Sequence, residues 1–324
     1  MFRTEINIAP VEDKINLKDK VYSLGSCFAV NTGKKLRTYK FSVLVNPFGV
    51  LFNPVSVFRT IAMCLGEEPL DIASYIRHQG IFQHFDLHSD VSAEKKEDLI
   101  RNFEERRKLA KKHLIDSQII LITFGTAVVY EWKKTGRIVA NCHKIPAEKF
   151  EKRLLDVDEI VSGFNVLNRM ILKYNPTVRF VLSVSPVRHI RDGFVTNSVS
   201  KSILRLSTEK IVNRFDHVSY FPSFEIMMDD LRDYRFYDSD MLHPSQEGID
   251  YIWQQFRRAY FDDQTNHFCD GWEKVMRDIS HKPYHPASEA HQEFLKKALA
   301  RLKQFDDLVD TEPEYQMLHE RMNK

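Results

Sequence analysis

Ser26, Asp240 and His243 are the residues of this chain whose types and spacing could support nucleophilic chemistry. A serine hydroxyl is a poor nucleophile near neutral pH. It needs a neighbouring base to take its proton, and the base needs a third group to fix its tautomer. Gly25-Ser26-Cys27-Phe28-Ala29 follows directly on the apolar run Val21-Tyr22-Ser23-Leu24. A small-residue turn at the end of a strand can present a hydroxyl at a sheet edge. Far along the chain, Asp240-Met241-Leu242-His243-Pro244-Ser245 carries a carboxylate and an imidazole on one short segment. Each segment has a plain structural alternative. Gly-Ser is a common turn, and Asp-x-x-His can be a surface pair that only terminates a loop. Ser245 is suited to cap the helix that follows, with Glu247 at its positive end.

Cys27 is a rival nucleophile, since a thiol beside the turn could be activated by His143 or His243. Against this, a cysteine at such a turn is often a small buried packing residue. Consecutive side chains on an extended segment also point apart, so Ser26 and Cys27 are expected not to share a pocket.

His84-Phe85-Asp86-Leu87-His88 raises a metal reading, because alternate positions on a strand face one way and His78 and Asp90 are close by. The spacing matches no diagnostic zinc pattern, and no metal or other cofactor is expected. His84 and His88 are instead expected to contact substrate from the pocket wall, since rim loops carry specificity. Arg188-His189 follows the fourth candidate strand and could contact an anionic or sugar substrate. A salt bridge to a neighbouring carboxylate is the alternative. Mixed charge at Glu94–Asp98 and the basic run Arg106-Arg107-Lys108 read as a solvated helix face.

These residues must be positioned by an α/β framework. Short β-rich runs alternate with longer helical patterns, the signature of βαβ units and a mostly parallel sheet. The candidate strands are 20–24, 41–45, 118–123, 179–183 and 217–221. The run from Gln118 to Thr123 is almost continuously apolar, as expected for a strand covered on both faces. Residues 128–132 and 137–140, separated by Lys133-Lys134-Thr135-Gly136, read as an inserted β-hairpin. Helices are expected over 54–64, 93–112, 157–174, 198–214, 224–231 and 245–260, with Ser92 capping the second. Past about residue 261 the composition becomes strongly charged with an amphipathic spacing. This reads as a C-terminal helical extension, giving a main domain over 1–262 and an extension over 263–324. The simpler alternative is more of the same domain. In open α/β sheets ligands bind at the carboxyl ends of the strands. Ser26, Gly49, Gly125 and the Asp240/His243 segment would all fall on that one rim.

The chain has 324 residues, enough for a substantial core, and its 43% hydrophobic and 28% charged residues are ordinary for a globular protein. A formal charge of +2 gives no basis for nucleic acid or an anionic membrane as partner. No window approaches the ~20 apolar residues of a membrane span. The segment Met1–Asn7 lacks the features of a secretory signal, and four scattered cysteines form no CxxC pair. A cytoplasmic location with reduced thiols is the expectation.

The opening segment Gly25–Ala29, with Asn46-Pro47-Phe48-Gly49, Thr123-Phe124-Gly125-Thr126-Ala127, Asn141-Cys142-His143-Lys144, Ser183–His189 and Asp240–Ser245, resembles the GSCFA family. That family belongs to the SGNH (GDSL-like) hydrolase superfamily. The resemblance spans roughly residues 5 to 260. It implies a three-layer α/β/α flavodoxin-like fold and a serine esterase. Such an enzyme would remove a small acyl group, such as O-acetyl from a carbohydrate, through an acyl-serine. An acyltransferase with an alcohol acceptor, or a binding module without turnover, are the alternatives. By the same resemblance Ser26 is the nucleophile and an oxyanion donor, Gly49 a second donor, His243 the base and Asp240 its orienting acid. The third block departs: Gly125-Thr126-Ala127 stands where a Gly-x-Asn would supply a side-chain amide. Losing one oxyanion donor costs on the order of a hundredfold in rate, so a substitute is needed. Asn141 is the first candidate, followed by Asn46, Thr126 and His143. The expected partner is a small-molecule or carbohydrate acyl ester, and the C-terminal helices could make a homo-oligomer.

Overall fold

Ile119–Phe124 is buried along its whole length because strands flank it on both sides and helices cover both faces. The computed structural model describes residues 4–286 and 288–322; the start of the N-terminal segment read for a signal, Met1–Arg3, lies outside them. In chain order the strands are β1 (Val21–Gly25), β2 (Val43–Val45), β3 (Tyr75–His78), β4 (Ile81–His84), β5 (Ile119–Phe124), β6 (Val128–Trp132), β7 (Arg137–Val139), β8 (Phe150–Leu154), β9 (Arg179–Val184) and β10 (Val218–Tyr220). The main sheet runs β10-β9-β5-β1-β2, and every neighbouring pair is parallel. Gly25 stands opposite Thr123, and Phe124 opposite Val184, so β1, β5 and β9 end on one rim.

Successive side chains on β5 divide between two cores, as the pleat requires. Ile120, Ile122 and Phe124 face a layer made by α2 (Pro54–Leu65), α3 (Lys96–Asp116), α4 (Val157–Tyr174) and α5 (Phe194–Val212). Ile119 and Leu121 face the opposite layer. There α1 (Cys27–Thr38) packs with α7 (Gln246–Tyr260), beyond the short turn α6 (Ser223–Glu225) and the π-helical turn Ile226–Asp230. The result is a three-layer α/β/α sandwich around a five-stranded parallel sheet, the flavodoxin-like arrangement expected.

The C-terminal helices α8 (Asp263–Ser280), α9 (Glu289–Leu302) and α10 (Glu312–Met322) extend this second layer. The Trp272 indole N–H donates to the Thr38 carbonyl at 2.8 Å, and Lys40 pairs with Glu314 at 2.7 Å. Among the described residues no helix is long and apolar enough to cross a membrane.

Four local expectations change. The inserted hairpin gains β8 on its other side, forming the antiparallel sheet β7-β6-β8. A further hairpin, β3–β4, precedes α3. Ser92 does not cap α3, which starts at Lys96 after Lys95 without a side-chain cap. Finally, α1 begins directly after Ser26, where the sequence was read as extended.

Candidate functional site

The turn after β1 is shaped by Gly25, whose φ is +132°; a Cβ there would lie 2.1 Å from the Thr123 carbonyl oxygen. Only glycine tolerates both the conformation and that approach. Asn46 locks the turn from β2's end: its side-chain oxygen accepts from the Gly25 N–H at 2.9 Å and its amide donates to the Gly25 carbonyl at 3.2 Å.

Ser26 is the N-cap of α1. It is 2% exposed, and its Oγ accepts from the Phe28 N–H at 3.3 Å. Cys27, the first helical residue, is half-buried and meets the imidazole: its Sγ lies 3.6 Å from His243 Nε2. The expectation that Ser26 and not Cys27 faces the base is therefore corrected. The physical reason is the helix. Ser26 turns back to satisfy an orphan amide, and the next residue projects from the helix end.

His243 is held by Asp240. The carboxylate Oδ2 takes the Nδ1–H at 2.6 Å, and Oδ1 accepts the backbone N–H groups of Leu242 and His243 at 2.8 and 2.9 Å. These bonds, the two from His243 above all, hold the Asp240 carboxyl down to about 2. A proton on Nδ1 leaves Nε2 as an acceptor for the Cys27 S–H, a tautomer assigned from the Asp240 contact. Met241, between them, adopts φ 59°. Ser245 caps α7 through the Gly248 N–H, as expected.

Burial raises the Cys27 thiol above its usual value. The N–H groups of Phe28 and Cys27 at the start of α1, together with the Lys201 ammonium, pull it back down, and Asp240 opposes them. A protonated thiol beside an imidazole nitrogen is an arrangement for general-base activation.

Two of the expected oxyanion donors are already committed. The Ser26 N–H donates to the Thr123 carbonyl at 3.1 Å and the Gly49 N–H to the Asn46 carbonyl at 2.8 Å. Gly49 instead serves close packing: at φ +90° its Cα faces His88, whose Cβ would lie 2.0 Å from a Gly49 Cβ. The Cys27 N–H has no carbonyl partner among the described residues.

The third block turns inward. Thr126 is buried, with its hydroxyl 3.0 Å from Ser200 Oγ, and the Ala127 N–H donates to that oxygen at 2.7 Å. Neither is placed to contact substrate. Asn141 accepts the His143 N–H at 2.8 Å through its side-chain oxygen. His143 is buried, with Nδ1 3.2 Å from Ser89 Oγ and Nε2 2.8 Å from the His84 carbonyl oxygen, so it does not serve the thiol.

His84 is fully buried, its ring bonding the Asp71 carbonyl and the Asp86 N–H, so it cannot line a pocket wall. β4 ends at His84, so His84 and His88 do not share a strand face; His88 is half-buried beside Gly49 and pairs with Asp90 at 3.1 Å. Among the described residues no three His, Cys, Asp or Glu side chains converge as a metal site.

Arg188 reaches the Asp240/His243 side of the rim. Its guanidinium donates to the Tyr237 hydroxyl at 3.0 Å, and Tyr237 pairs by its backbone with Pro244. Among the described residues it has no carboxylate partner. His189 lies 6.2 Å from the Phe52 ring, and burial lowers its affinity for a proton.

Lys201, unremarked in the sequence, lies beneath this rim. A lysine on an amphipathic helix reads as solvated, so only the fold reveals its burial. The signal for α1 was available: serine directly before Cys27-Phe28-Ala29-Val30 is a helix N-cap pattern.

The model of the GSCFA family matches residues 20–256, and that of the GSCFA domain protein, C-terminal domain, matches residues 272–324. No curated protein matches the chain. Among solved structures, a carbohydrate esterase family 3 from Talaromyces cellulolyticus aligns at 11% identity with a TM-score of 0.27, covering 50% of this chain and 67% of that one. A likeness this slight carries neither fold nor chemistry.

Proposed function

The chain belongs to the GSCFA family, and from that premise we propose that it is an acyl-ester hydrolase whose nucleophile is the Cys27 thiol, with His243 as base and Asp240 as orienting acid. The observation that carries this reading is the 3.6 Å approach of Cys27 Sγ to His243 Nε2. The SGNH-like resemblance points to Ser26 as nucleophile; what favours the next residue, Cys27, is this contact together with the cap that Ser26 makes on α1.

His243 Nε2 takes the thiol proton as sulfur attacks the acyl carbonyl, and Asp240 stabilises the imidazolium that forms. The oxyanion meets the Cys27 N–H and the positive end of α1. Collapse breaks the ester C–O bond, and His243 returns its proton to the leaving alkoxide. Water, deprotonated by His243, then releases the acid from the thioester and regenerates the thiol. A small acyl group such as O-acetyl on a carbohydrate is the substrate that the resemblance supports, since a fold alone does not choose one.

The test is acyl trapping with p-nitrophenyl acetate, with the modified residue mapped by mass spectrometry. An acetyl group on Cys27, lost in His243→Ala, is the expected result. An adduct on Ser26 would restore the serine mechanism. No adduct on folded protein would move the site to ligand binding without turnover.

A further inference from the structure

Lys201 is 2% exposed on α5, and it has no carboxylate partner among the described residues. Its ammonium donates at 2.7 Å to the carbonyls of Gly125 and Ser185, the residues just past β5 and β9. A third N–H has no acceptor among the described hydrogen bonds. The other groups around it are the Phe224 ring, 5.8 Å away, the Arg188 guanidinium, the His189 imidazole and the Cys27 thiol. A buried, unpaired cation is costly to hold, so the fold is expected to retain one only where something nearby becomes negative.

The neighbouring residue shows why this helix reaches the site. Ser200 receives the Ala127 N–H and pairs with Thr126, while Lys201 binds the Gly125 carbonyl. Thus α5 grips the third-block loop, which in this chain offers no side-chain amide, and brings a cation to the same place.

We propose that Lys201 is a positioning residue that stabilises the negative charge of the Cys27 thiolate when His243 takes its proton. This rests on Cys27 being the nucleophile. The geometry puts both groups at one strand end: Lys201 binds the Gly125 carbonyl two residues past Thr123, and Thr123 stands opposite Gly25 and receives the Ser26 N–H at the start of α1. At that place the ammonium favours the thiolate, and the thiolate favours the ammonium. Burial otherwise holds the Lys201 ammonium down to about 7, with Arg188 opposing its charge as well. Of the other charged groups that face the thiol, His243 accepts its proton and Asp240 disfavours its charge.

The experiment is iodoacetamide alkylation of Cys27 at a fixed pH near ~6, below the value of about 7 to which Lys201 is held, so that the lysine is charged while the thiol reacts. Peptide mass spectrometry gives the rate in wild type, Lys201→Met and Lys201→Arg. Removing the cation is expected to slow alkylation about tenfold, as a rise of about one unit in the thiol would. Lys201→Arg should recover most of it. A lysine that only tethers two carbonyls would alter thermal stability and leave the alkylation rate of the folded variant unchanged, and that result overturns the proposal. Should Lys201→Met fail to fold, linkage supplies the reverse measurement. In Cys27→Asp, which fixes a negative charge at that place, the Lys201 side chain, followed by carbon-13 NMR, should titrate at higher pH than in wild type; an unchanged midpoint overturns the proposal equally. Absence of acetyl transfer to Cys27 would sink the nucleophile reading by itself, whatever the alkylation rates show.

Discussion

Cys27 Sγ lies 3.6 Å from His243 Nε2 although 216 positions separate the two residues in sequence. The parallel sheet makes the meeting possible. β1 ends at Gly25, α1 starts at Cys27, and the Asp240–His243 turn is brought over the same rim by α7, which packs beside α1. Ser26 stands between strand and helix, and its hydroxyl is spent on the helix.

Ser26→Ala removes that cap. It should lower stability by about 1 kcal/mol in urea unfolding while leaving Cys27 acetylation within a few-fold of wild type. Ser26→Asp should retain most of the stability, since aspartate caps as well as serine. A Ser26→Ala variant that folds but no longer acquires an acetyl group anywhere would return the nucleophile to Ser26.

Asp240→Asn replaces the acceptor of the Nδ1–H bond with an amide that can also donate, so the imidazole loses its preferred tautomer. Ester hydrolysis should fall on the order of a hundredfold or more. The side chain is about half exposed, so the thermal midpoint should hardly move. The carboxyl is held near 2, so it stays ionised until the pH falls through that value, below its unfolded titration. The wild-type kcat/KM profile should therefore show no break from this carboxyl in the ordinary aspartate range, and a break there would contradict the bond network.

Asp86 ties the inserted sheet to α2. It is 2% exposed and sits between Arg59 at 2.7 Å and Arg137 at 3.2 Å, while Arg137 also pairs with Glu68 at 2.7 Å. Asp86→Ala leaves two guanidinium groups facing each other across a buried gap. A loss on the order of 3 kcal/mol is expected in urea unfolding, because breaking one side of a buried ion pair uncovers an uncompensated charge. A loss under about 1 kcal/mol would mean that Glu68 alone satisfies both arginines.

The sheet was legible because its strands are short, apolar and bounded by turns, so all five parallel strands fall within a residue or two of their expected places. Two kinds of element were not. β8 reads Phe-Glu-Lys-Arg-Leu, whose three central charges give no apolar run to read; in the fold Arg153 pairs with Glu131 on the adjacent strand and with Glu159 on α4. α1 carries Asn31, Thr32, Lys34, Lys35 and Arg37, with a glycine in the middle, and hides its helical period. That glycine is there for packing, since a Cβ at Gly33 would lie 2.3 Å from a Val45 methyl. Missing α1 left Ser26 rather than Cys27 as the side chain expected to meet His243. His84 and His143 looked functional because histidine types are suggestive, whereas both serve buried hydrogen bonds that only tertiary contact reveals.

Lys201 makes a prediction about stability that differs from the one about reactivity. Its ammonium is held down to about 7 in the folded chain, against about 10.4 for an unfolded lysine. Between those values the unfolded chain binds more protons, so stability must rise with pH across that window. The burden of the buried charge is fully present below about 7 and disappears above the unfolded value. Measured against Lys201→Met, wild type should therefore be relatively least stable near neutral pH and below. It should gain steadily as the pH is raised from about 7 toward 10. Urea unfolding of both proteins at matched pH values gives the difference directly, cancelling titrations elsewhere. A difference that stays flat across the window would mean that Lys201 keeps its proton in the fold, as a lysine with an undetected anionic neighbour would.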